Sequence, residues 1–293
     1  LVLEYTEMWP QLINNASRQG VQLVLHNGRF SDNRLKWYRR LFAITGNLLR
    51  NFALLLMRDE QQAENARRLG ADERAMQVTG NTKFDNARPD PPAEEVQELR
   101  VAMSLAYDAP VWVAGSTHDD EESLLLGVFG RLRKSRPDVC LVLAPRYVER
   151  AERVGAIAKS QGFTVRRRSQ PGGPVDVIVL DTIGELAACY ALASLVFVGG
   201  SFVRRGGQNI LEPAACGKPT IFGPNMQNFA DSVQVLLGRG GIQVASPDQL
   251  ERVIKDLLER PAYRAELGAL ARVQAISAQG AAQRNAALIG SLL

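Results

Sequence analysis

Short apolar runs alternate with amphipathic segments along almost the whole chain. Fully apolar runs such as Phe52–Met57, Val111–Ala114 and Leu195–Val198 are typical of strands buried on both faces. Between such runs, apolar residues recur every three to four positions, which is the period of an amphipathic helix. Strands that alternate with helices indicate parallel sheets covered by helices. The pattern therefore predicts an α/β fold.

The predicted elements follow one another without a repeat or a low-complexity tract. We expect the end of a strand at Leu1–Leu3 and a helix that ends near Gln19. The predicted strands are Val21–Leu25, Phe52–Met57, Met76–Thr79, Val111–Ala114, Val139–Ala144, Phe163–Arg167, Val175–Leu180, Leu195–Val198 and Pro219–Phe222. The predicted helices run from Ser31 towards Arg50, over Arg58–Leu69 and Ala93–Leu105, from Gly115, over Tyr147–Ser160, Gly184–Ala193 and Gln208–Ala215, and from Ser246, Pro261 and Ala281.

The proline-rich run Arg88-Pro-Asp-Pro-Pro92 is the strongest linker signal in the sequence. A chain of 293 residues is long enough for two domains. We predict one domain over residues 1–88 and a second, with the terminal helices, over residues 89–293. The first residue is Leu1 rather than Met, and Leu1–Leu3 has the pattern of a strand already under way. We therefore expect the first domain to be incomplete on its amino-terminal side.

Composition narrows the possible partners. The chain is 46% hydrophobic and 23% charged, with a net charge of +4 and a pI near 9.1. This mildly basic balance suits an anionic ligand or membrane surface, but the charge is too weak and dispersed to favour nucleic acid. Cys140, Cys189 and Cys216 lack metal or redox spacing, so we expect reduced core thiols in a cytoplasmic protein. No apolar run reaches the length of about 18 residues that a transmembrane helix needs.

The segment from Ser31 to Arg50 combines aromatic and basic residues. Trp37, Tyr38, Leu41 and Phe42 recur at helical spacing, and five basic residues lie between and around them. Such a helix can be a solvated face around a buried apolar stripe, or it can rest on anionic lipid. The sequence leaves both interpretations open.

The stretch Leu195–Asp231 is typical of a βαβ unit with a glycine-rich loop. A buried strand is followed by a basic loop with Gly206 and Gly207, and then by a segment of helical pattern that contains Glu212. Glycines let the backbone approach a ligand, and the N-terminus of a helix attracts a phosphate. Glu212 could accept hydrogen bonds from ribose hydroxyls. Alternatively, the glycines only make a tight turn and Glu212 is solvated.

Two other loops carry candidate phosphate ligands at the same predicted sheet edge. Ser116 and His118 follow strand Val111–Ala114, although Thr117 with Asp120 also resembles a helix capping box. Arg146 follows strand Val139–Ala144 and could bind a phosphate through two hydrogen bonds. A surface ion pair of Arg146 with Glu149 or Glu152 is the alternative.

Further candidates lie at two turns. Gly184, Glu185 and Leu186 follow strand Val175–Leu180 and so belong to the same edge. Lys83 lies in Gly80-Asn-Thr-Lys-Phe-Asp85, next to the linker and therefore next to an expected interdomain cleft. It could stabilise negative charge on a donor or a leaving group, or it could be an ordinary surface lysine.

Taken together, these motifs resemble those of the 3-deoxy-D-manno-octulosonic acid (Kdo) transferases, which are glycosyltransferases of the GT-B fold. The matching segments are Thr6-Glu-Met-Trp-Pro10, Gly80-Asn-x-Lys-Phe-Asp85, Gly115-Ser-Thr-His118, Pro145-Arg146, Val198-Gly-Gly-Ser-Phe-Val-x-x-Gly-Gly-x-Asn-x-Leu-Glu-Pro213, Gly223-Pro224 and Asn228-Phe229. They keep the order of the family and span nearly the whole chain. The resemblance implies two Rossmann-like, doubly wound parallel-sheet domains that face a cleft.

The resemblance also implies an activity. Kdo would be transferred from CMP-Kdo to a lipid A precursor of the lipid IVA type, with inversion, at the cytoplasmic face of the bacterial inner membrane. It implies peripheral contact with an anionic membrane and no cofactor, metal or nucleic acid. Lys83 would stabilise the transition state, and Glu7 is the only glutamate that remains for the role that the family gives to the first glutamate of its Glu-x-Glu segment. The residues that would hold CMP are Pro145, Arg146, Gly184, Glu185, Leu186, Asn209, Ile210, Leu211 and Glu212.

The chain departs from the pattern of this family at several points. The family's catalytic base is a glutamate in a Ser-x-Gly-Glu segment, and this chain has no such segment. Tyr5 stands where the family has the first glutamate of Glu-x-Glu, which leaves only Glu7. Tyr147 and Gln208 replace histidines. We therefore expect this chain by itself to be poorly soluble or inactive.

Two alternatives remain open on sequence grounds. One is a UDP-sugar epimerase of the same fold, which would also need a glycine loop and a ribose-binding glutamate. The other is a non-catalytic nucleotide-binding remnant, an interpretation that is consistent with the missing base segment and with Tyr5.

Overall fold

The computed structural model describes residues 1–87 and 90–292. It divides into two compact units, the first formed by Leu1–Asn86 with Ser277–Leu293, and the second by Ala87–Ile276. Arg88 and Pro89 of the predicted linker lie outside the described residues. The sequence analysis assigned the terminal helices to the second domain, whereas the structure places the last of them in the first unit. Within the described ranges, no helix has both the length and the apolar character needed to cross a membrane.

The first unit is built on a four-stranded parallel sheet. Its strands β1–β4 lie side by side in chain order, so each connection steps in the same direction. The strands are β1 Val2–Glu4, β2 Leu23–Gly28, β3 Phe52–Met57 and β4 Met76–Val78, and the helices are α1 Pro10–Arg18, α2 Leu35–Thr45, α3 Glu60–Arg68 and, at the end of the chain, α12 Ala281–Gly290.

The core of the first unit lies between its sheet and helices. Ile13 of α1, Tyr38 of α2 and Ala63 of α3 pack with Leu25 and Leu55 from the central strands. α2 buries Leu35, Tyr38 and Phe42 but leaves Trp37 55% exposed. The prediction that one helix continues to Arg50 is wrong, because Gly46 at φ 77° ends α2 and a short 3₁₀ segment follows.

The terminal helix α12 is fastened to the first unit by Asp85. The Asp85 carboxylate accepts hydrogen bonds from the backbone N–H groups of Gly280 and Ala282, both at 2.6 Å. Arg284 of α12 donates to the carbonyl of Thr79 at 2.9 Å. Asp85 therefore caps a helix that lies almost two hundred residues away in sequence.

The second unit contains a seven-stranded parallel sheet in the order β11-β10-β9-β5-β6-β8-β7. Its strands are β5 Val111–Thr117, β6 Cys140–Pro145, β7 Val165–Arg167, β8 Val177–Val179, β9 Leu195–Val198, β10 Thr220–Phe222 and β11 Gly241–Gln243. Its helices are α4 Ala93–Ala102, α5 Glu121–Arg133, α6 Ala151–Ser160, α7 Leu186–Leu192, α8 Leu211–Ala215, α9 Ala230–Leu236, α10 Pro247–Glu259 and α11 Pro261–Ser277.

The order of the strands reverses at β5. After β5, the chain first adds β6, β7 and β8 on one side of that strand. It then crosses back through α7 and adds β9, β10 and β11 on the other side. Open α/β sheets bind ligands in the crevice at such a reversal, outside the carboxyl ends of the strands. The sheet is buried on both faces, as the apolar runs predict; the neighbours Trp112 and Val113 of β5 point to opposite faces, and both are fully buried.

Candidate functional site

The crevice between β5 and β9 is organised by a buried carboxylate. Glu121, at the start of α5, accepts backbone N–H groups of Gly200 at 2.8 Å, Phe202 at 3.0 Å, Ser201 at 3.2 Å and His118 at 3.3 Å. Burial raises the pKa of the Glu121 carboxyl, and these four hydrogen bonds oppose that rise. The N–H groups of the first turn after β9 are therefore occupied by the chain's own carboxylate and not offered to a ligand.

Gly199 allows the two loops to approach each other so closely. Its N–H donates to the carbonyl of Gly115 at 2.8 Å. A β-carbon at this position would lie 2.6 Å from the Ser116 carbonyl oxygen and 2.7 Å from the Glu121 carboxylate. The glycine after β9 is thus required by packing against the loop after β5.

A second buried carboxylate ties the loop after β6 to this crevice. Glu122 accepts from Thr117 Oγ1 at 2.9 Å and from Arg150 at 2.7 Å, and Arg150 also contacts Asp119 at 2.6 Å. The predicted capping box of Thr117 with Asp120 is wrong. Asp120 has φ 69° and forms no side-chain cap, because the Thr117 hydroxyl is directed to Glu122.

Ser116 lies at the end of β5 beside a buried tyrosine. Burial raises the pKa of the Tyr190 hydroxyl, and the Ser116 side chain beside it opposes that rise. The Tyr190 ring fills the space that a side chain at Gly115 would need, since a β-carbon there would be 2.2 Å from the hydroxyl oxygen. Ser116 therefore lies beside Tyr190 of α7. Its contact with a phosphate stays a prediction.

His118 lies where three loops meet. The Gln208 amide lies 3.3 Å from His118 Nε2, and the Tyr147 ring lies edge-on to the imidazole at 6.0 Å between centroids. Burial lowers the pKa of His118, and the positive charges of Arg205 and Arg150 lower it further. The surroundings of the imidazole therefore favour its neutral form, and the charge of Glu122 opposes this effect.

Glu212 and Arg146 lie at the same crevice. Asn209 Nδ2 donates to Glu212 Oε1 at 2.9 Å, and Asn209 Oδ1 accepts the Leu211 N–H at 3.0 Å. Burial raises the pKa of the Glu212 carboxyl, while the Asn209 hydrogen bond and the charge of Arg146 lower it. Glu212 is thus a half-buried acceptor, oriented by Asn209 and close to an exposed guanidinium.

Two details of the sequence interpretation are corrected here. The helix starts at Leu211 and not at Gln208, so Glu212 lies in its first turn rather than one turn inside. With only five residues and its Leu211 N–H already bonded to Asn209, α8 has little capacity to bind a phosphate at its N-terminus. Neither of the surface ion pairs considered for Arg146, with Glu149 or Glu152, occurs among the described residues.

Gly206 and Gly207 pack against other residues of the chain and do not line an open ligand-binding loop. Both are buried at positive φ, and the Gly207 N–H donates to the Gly200 carbonyl at 2.9 Å. A β-carbon at Gly206 would meet Asn228, and one at Gly207 would meet Met226. The Gly207 N–H is therefore bonded within the chain, and Gly206 serves close packing against the loop after β10. Phosphate contact by either glycine stays a prediction.

Glu185 belongs to an ion-pair network after β8. It accepts from Arg168 at 2.8 Å and from the Thr182 hydroxyl. Gly184 is exposed at φ 95°, and Leu186 begins α7. The structure thus brings these residues to the same edge as Arg146, since β8 pairs with β6.

The remaining predicted CMP contacts are largely buried. Pro145 closes β6, and Ile210 and Leu211 are at most 1% exposed. Their side chains belong to the core, so any contact they make with a nucleotide is made through backbone atoms.

A separate cavity opens in the first unit, and we name it the basic cavity. Its volume is about 350 Å³, and it is lined by Tyr5, Thr6, Arg29, Ser31, Arg34, Tyr38, Arg58 and Lys83. The Lys83 ammonium lies 5.4 Å from the centre of the Tyr5 ring. Lys83 and the position where the family pattern has a glutamate are therefore neighbours. Glu7 is exposed in the turn before α1 and does not line the cavity.

Backbone strain is concentrated at both candidate sites. Non-glycine residues with positive φ are Tyr5, Asn27, Ser104, Ser116 and Asp120. Apart from Ser104, each follows or ends a strand at a carboxyl edge described above. Such conformations cost about 1–3 kcal/mol each and cluster at functional sites.

Several important residues were missed by sequence reasoning. These are Glu121, Glu122, Arg150 and Tyr190, whose partners lie in other loops. The available signal was the pair Glu121-Glu122 directly after a buried strand. Two adjacent carboxylates at that edge lie close to the N–H groups of neighbouring loops.

Comparison with known proteins identifies the family. A family model described as 3-Deoxy-D-manno-octulosonic-acid transferase (kdotransferase) matches residues 1–86. The 3-deoxy-D-manno-octulosonic acid transferase of Haemophilus influenzae is 32% identical over 289 residues, which cover 97% of this chain and 67% of the relative. The chain belongs to the Kdo transferase family. It spans about two thirds of the length of this relative and of the one from Bordetella pertussis.

Solved structures agree with this family of glycosyltransferases. The C-terminal CMP-Kdo binding domain of WaaA from Acinetobacter baumannii is 28% identical, with a TM-score of 0.58, covering 62% of this chain and 96% of that domain. Anabaena HepE in complex with UDP has a TM-score of 0.59 and covers 99% of this chain and 78% of that one. At 13% identity, it supports the fold alone. The chain is thus an α/β protein of GT-B type.

The family assignment decides between a Kdo transferase and an epimerase of the same fold. An epimerase would share only the fold with this chain, whereas a Kdo transferase shares about a third of its sequence over most of its length. The resemblance inferred from the motifs is therefore confirmed at the level of the family.

Proposed function

We propose that this protein transfers Kdo from CMP-Kdo to a lipid A precursor of the lipid IVA type. The acceptor hydroxyl gives its proton to a base, and its oxygen bonds to the anomeric carbon. The bond from that carbon to the phosphate oxygen breaks on the opposite face, so CMP leaves and the configuration inverts. The base is assigned to no residue of this chain.

The observation that supports a CMP site is the position of Arg146 and Glu212 at the reversal of strand order, where the charge of Arg146 lowers the pKa of the Glu212 carboxyl. Arg146 is exposed and close to the half-buried Glu212, whose orientation is set by Asn209. A carboxylate here accepts from ribose hydroxyls, and the guanidinium donates to the phosphate. The positive charges around His118 favour the same phosphate. Ser116 and the edge formed by Gly184, Glu185 and Leu186 complete the proposed donor site.

Lys83 is proposed to stabilise the transition state of the transfer. Its ammonium is exposed, and among the described residues it forms no ion pair, which leaves its charge available to a developing anion. Tyr5 supplies an aromatic ring at this point, where the family pattern has a carboxylate. Glu7 is the remaining acidic candidate nearby in sequence.

The proposal is tested by a transfer assay with labelled CMP-Kdo and a lipid A precursor. The assay uses the chain together with any residues that precede Leu1 in the natural protein. We expect labelled lipid, and a decrease in kcat of about 10²–10³-fold for Lys83→Ala, the loss seen when a charge-stabilising group is removed. Arg18→Gln, an exposed residue of α1, is the control. Absence of transfer by a folded protein that binds CMP would reject the reaction and leave a nucleotide-binding module.

We also propose peripheral contact with the anionic inner membrane through α2. This helix exposes Trp37 and Ile44 beside Lys36, Arg39 and Arg40. Basic and aromatic residues on one exposed surface favour an anionic lipid interface. Sedimentation with phosphatidylglycerol vesicles should exceed that with phosphatidylcholine vesicles and should fall in Trp37→Ser. Equal sedimentation with both lipids would reject the contact.

A further inference from the structure

His118 and Gln208 are brought into contact by the backbone of the loops after β5 and β9. The N–H groups of His118 and Gly200 both donate to the Glu121 carboxylate, at 3.3 and 2.8 Å. The Gly200 carbonyl in turn accepts the N–H of Gly207, the residue before Gln208, at 2.9 Å. These hydrogen bonds fix the two backbone segments from which the side chains of His118 and Gln208 extend.

Gly200 leaves room for the two side chains to meet. It has φ 67°, and a β-carbon there would lie 3.1 Å from His118 Cδ2, 3.4 Å from His118 Nε2 and 3.5 Å from Gln208 Cγ. The His118 side chain is buried. The edge of the imidazole that carries Nε2 therefore faces Gly200 and Gln208.

The contact between the two side chains determines which ring nitrogen carries the hydrogen. Gln208 Nε2 lies 3.3 Å from His118 Nε2. An amide NH₂ group can donate but cannot accept, so His118 Nε2 has to be the acceptor. In a neutral imidazole, the nitrogen that does not accept carries the hydrogen. The hydrogen of His118 therefore lies on Nδ1.

Nδ1 is the ring nitrogen that is available to a ligand. It has no hydrogen-bond partner within residues 1–87 and 90–292, and it is not one of the polar atoms that the fold seals from solvent. Burial lowers the pKa of His118, and the charges of Arg205 and Arg150 lower it further. Glu122 opposes this effect, and Arg146 adds to it. A neutral N–H donor among these cations favours an anionic acceptor.

We propose that Gln208 is a positioning residue that holds His118 in the Nδ1–H form, so that this N–H donates to the phosphate of the CMP group. The Gln208 amide does not ionise, so it gives the same hydrogen bond at any pH at which the fold persists. The phosphate contact rests on the donor site proposed above, whereas the tautomer of His118 does not.

The tautomer is measured by two-bond ¹H–¹⁵N correlation NMR on the whole chain with His26→Gln, in which His118 is the only imidazole. At about pH 8 an ordinary imidazole is neutral, and we expect the ¹⁵N shifts of the form protonated at Nδ1. Gln208→Glu should move the hydrogen to Nε2, because a carboxylate can only accept. Gln208→Met should hold neither form. The Nε2–H form in the parent chain would overturn the proposal.

The phosphate contact is tested by calorimetric titration with CMP and with cytidine. Gln208→Met should raise Kd for CMP about fivefold, the factor that corresponds to one hydrogen bond, and should change Kd for cytidine less than about twofold. In His118→Asn the amide can turn its N–H towards the phosphate without Gln208, so adding Gln208→Met should have no further effect. Gln234→Met, an exposed glutamine of α9, is the control.

The outcomes separate this proposal from that of the donor site. Equal weakening of CMP and cytidine by Gln208→Met, or the same weakening in the His118→Asn background, would show that Gln208 only supports its loop. CMP binding with His118 in the Nε2–H form would support the donor site and reject the role of Gln208. Absence of CMP binding by the parent chain would reject the donor site and the phosphate contact together, and the NMR shifts would still decide the tautomer.

Discussion

At the scale of residues, the candidate donor site depends on two buried carboxylates that are hydrogen-bonded within the chain. Glu121 and Glu122 are at most 1% exposed, and they hold the loops after β9 and β6 in place. The exposed Arg146 and the half-buried Glu212 are the residues proposed to contact a nucleotide. Glu121 and Glu122 thus position the loops, whereas Glu212 is the candidate carboxylate for binding a nucleotide.

Replacing Glu121 by Gln should destabilise the protein by about 2–3 kcal/mol. The amide keeps the size of the side chain but turns one acceptor towards N–H groups as a donor, which leaves buried N–H groups unsatisfied. Urea unfolding at pH 7 measures the loss. Glu152→Gln, an exposed residue of α6, should stay within about 0.5 kcal/mol. An equal, small effect of both variants would show that the hydrogen bonds of Glu121 carry little stability.

His118 should titrate below the ordinary value of about 6.5, because burial, Arg205 and Arg150 lower its pKa. Between the folded pKa and that value the unfolded chain binds more protons, so stability rises with pH across this window and falls as His118 is protonated. In His26→Gln, His118 is the chain's only imidazole, and NMR can follow its titration without overlap. A titration in urea supplies the unfolded value, and a folded midpoint at or above it would contradict the environment described.

At the scale of elements, short contacts between distant segments decide which unit an element joins. α12 follows α11 in sequence, yet Asp85, Arg284 and Gln279 bind it to the first unit. Asp85 belongs to a segment whose Lys83 is a candidate catalytic residue. The motif Gly80–Asp85 therefore contains both Asp85, which attaches α12, and Lys83, the candidate catalytic residue.

Replacing Asp85 by Ala should cost about 1–2 kcal/mol, as the loss of a helix cap does. It should also raise the hydrogen exchange of α12, because Gly280 and Ala282 lose their acceptor. Exchange measured by mass spectrometry on peptides from 278–292 follows this directly. Asp108→Ala, an exposed position, is the control. Unchanged exchange in α12 would mean that its attachment does not depend on Asp85.

At the scale of the whole molecule, the two units have separate cores. One core contains residues such as Leu25 and Leu55, and the other contains Trp112, Phe129 and Phe197. A fragment from Ala87 to Ile276 should therefore fold by itself and bind CMP within about twofold of the full chain's affinity. Calorimetry on fragment and full chain makes the comparison. A fragment that unfolds without cooperativity would contradict the independence of the second core.

Much of the fold could be predicted from the sequence, because fully buried strands have an unambiguous pattern. Phe52–Met57 and Leu195–Val198 were predicted to the residue. Short elements without such a pattern were missed, as for α9 at Ala230–Leu236 and β11 at Gly241–Gln243. Periodicity describes neighbours along the chain, so it could not show that Glu121 binds a loop 79 residues away.

The candidate site was predicted only in part for the same reason. The loops that reach the carboxyl edge were identified, since parallel strands bring them together. Which atoms are free within those loops depends on tertiary contacts. The N-terminus of the helix after Gly207 was expected to offer free N–H groups to a ligand, but the first N–H of α8 is bonded to Asn209.

The most direct test of the account is a calorimetric titration of this chain with CMP, with UMP as the comparison. We expect selective binding of CMP, and Arg146→Ala and Glu212→Ala should each weaken it at least about tenfold, the effect of losing a charged hydrogen bond. Arg153→Ala, an exposed arginine of α6, should leave the affinity unchanged. Absence of CMP binding by a folded sample, or equal binding of UMP, would contradict a CMP-sugar site at the reversal of strand order.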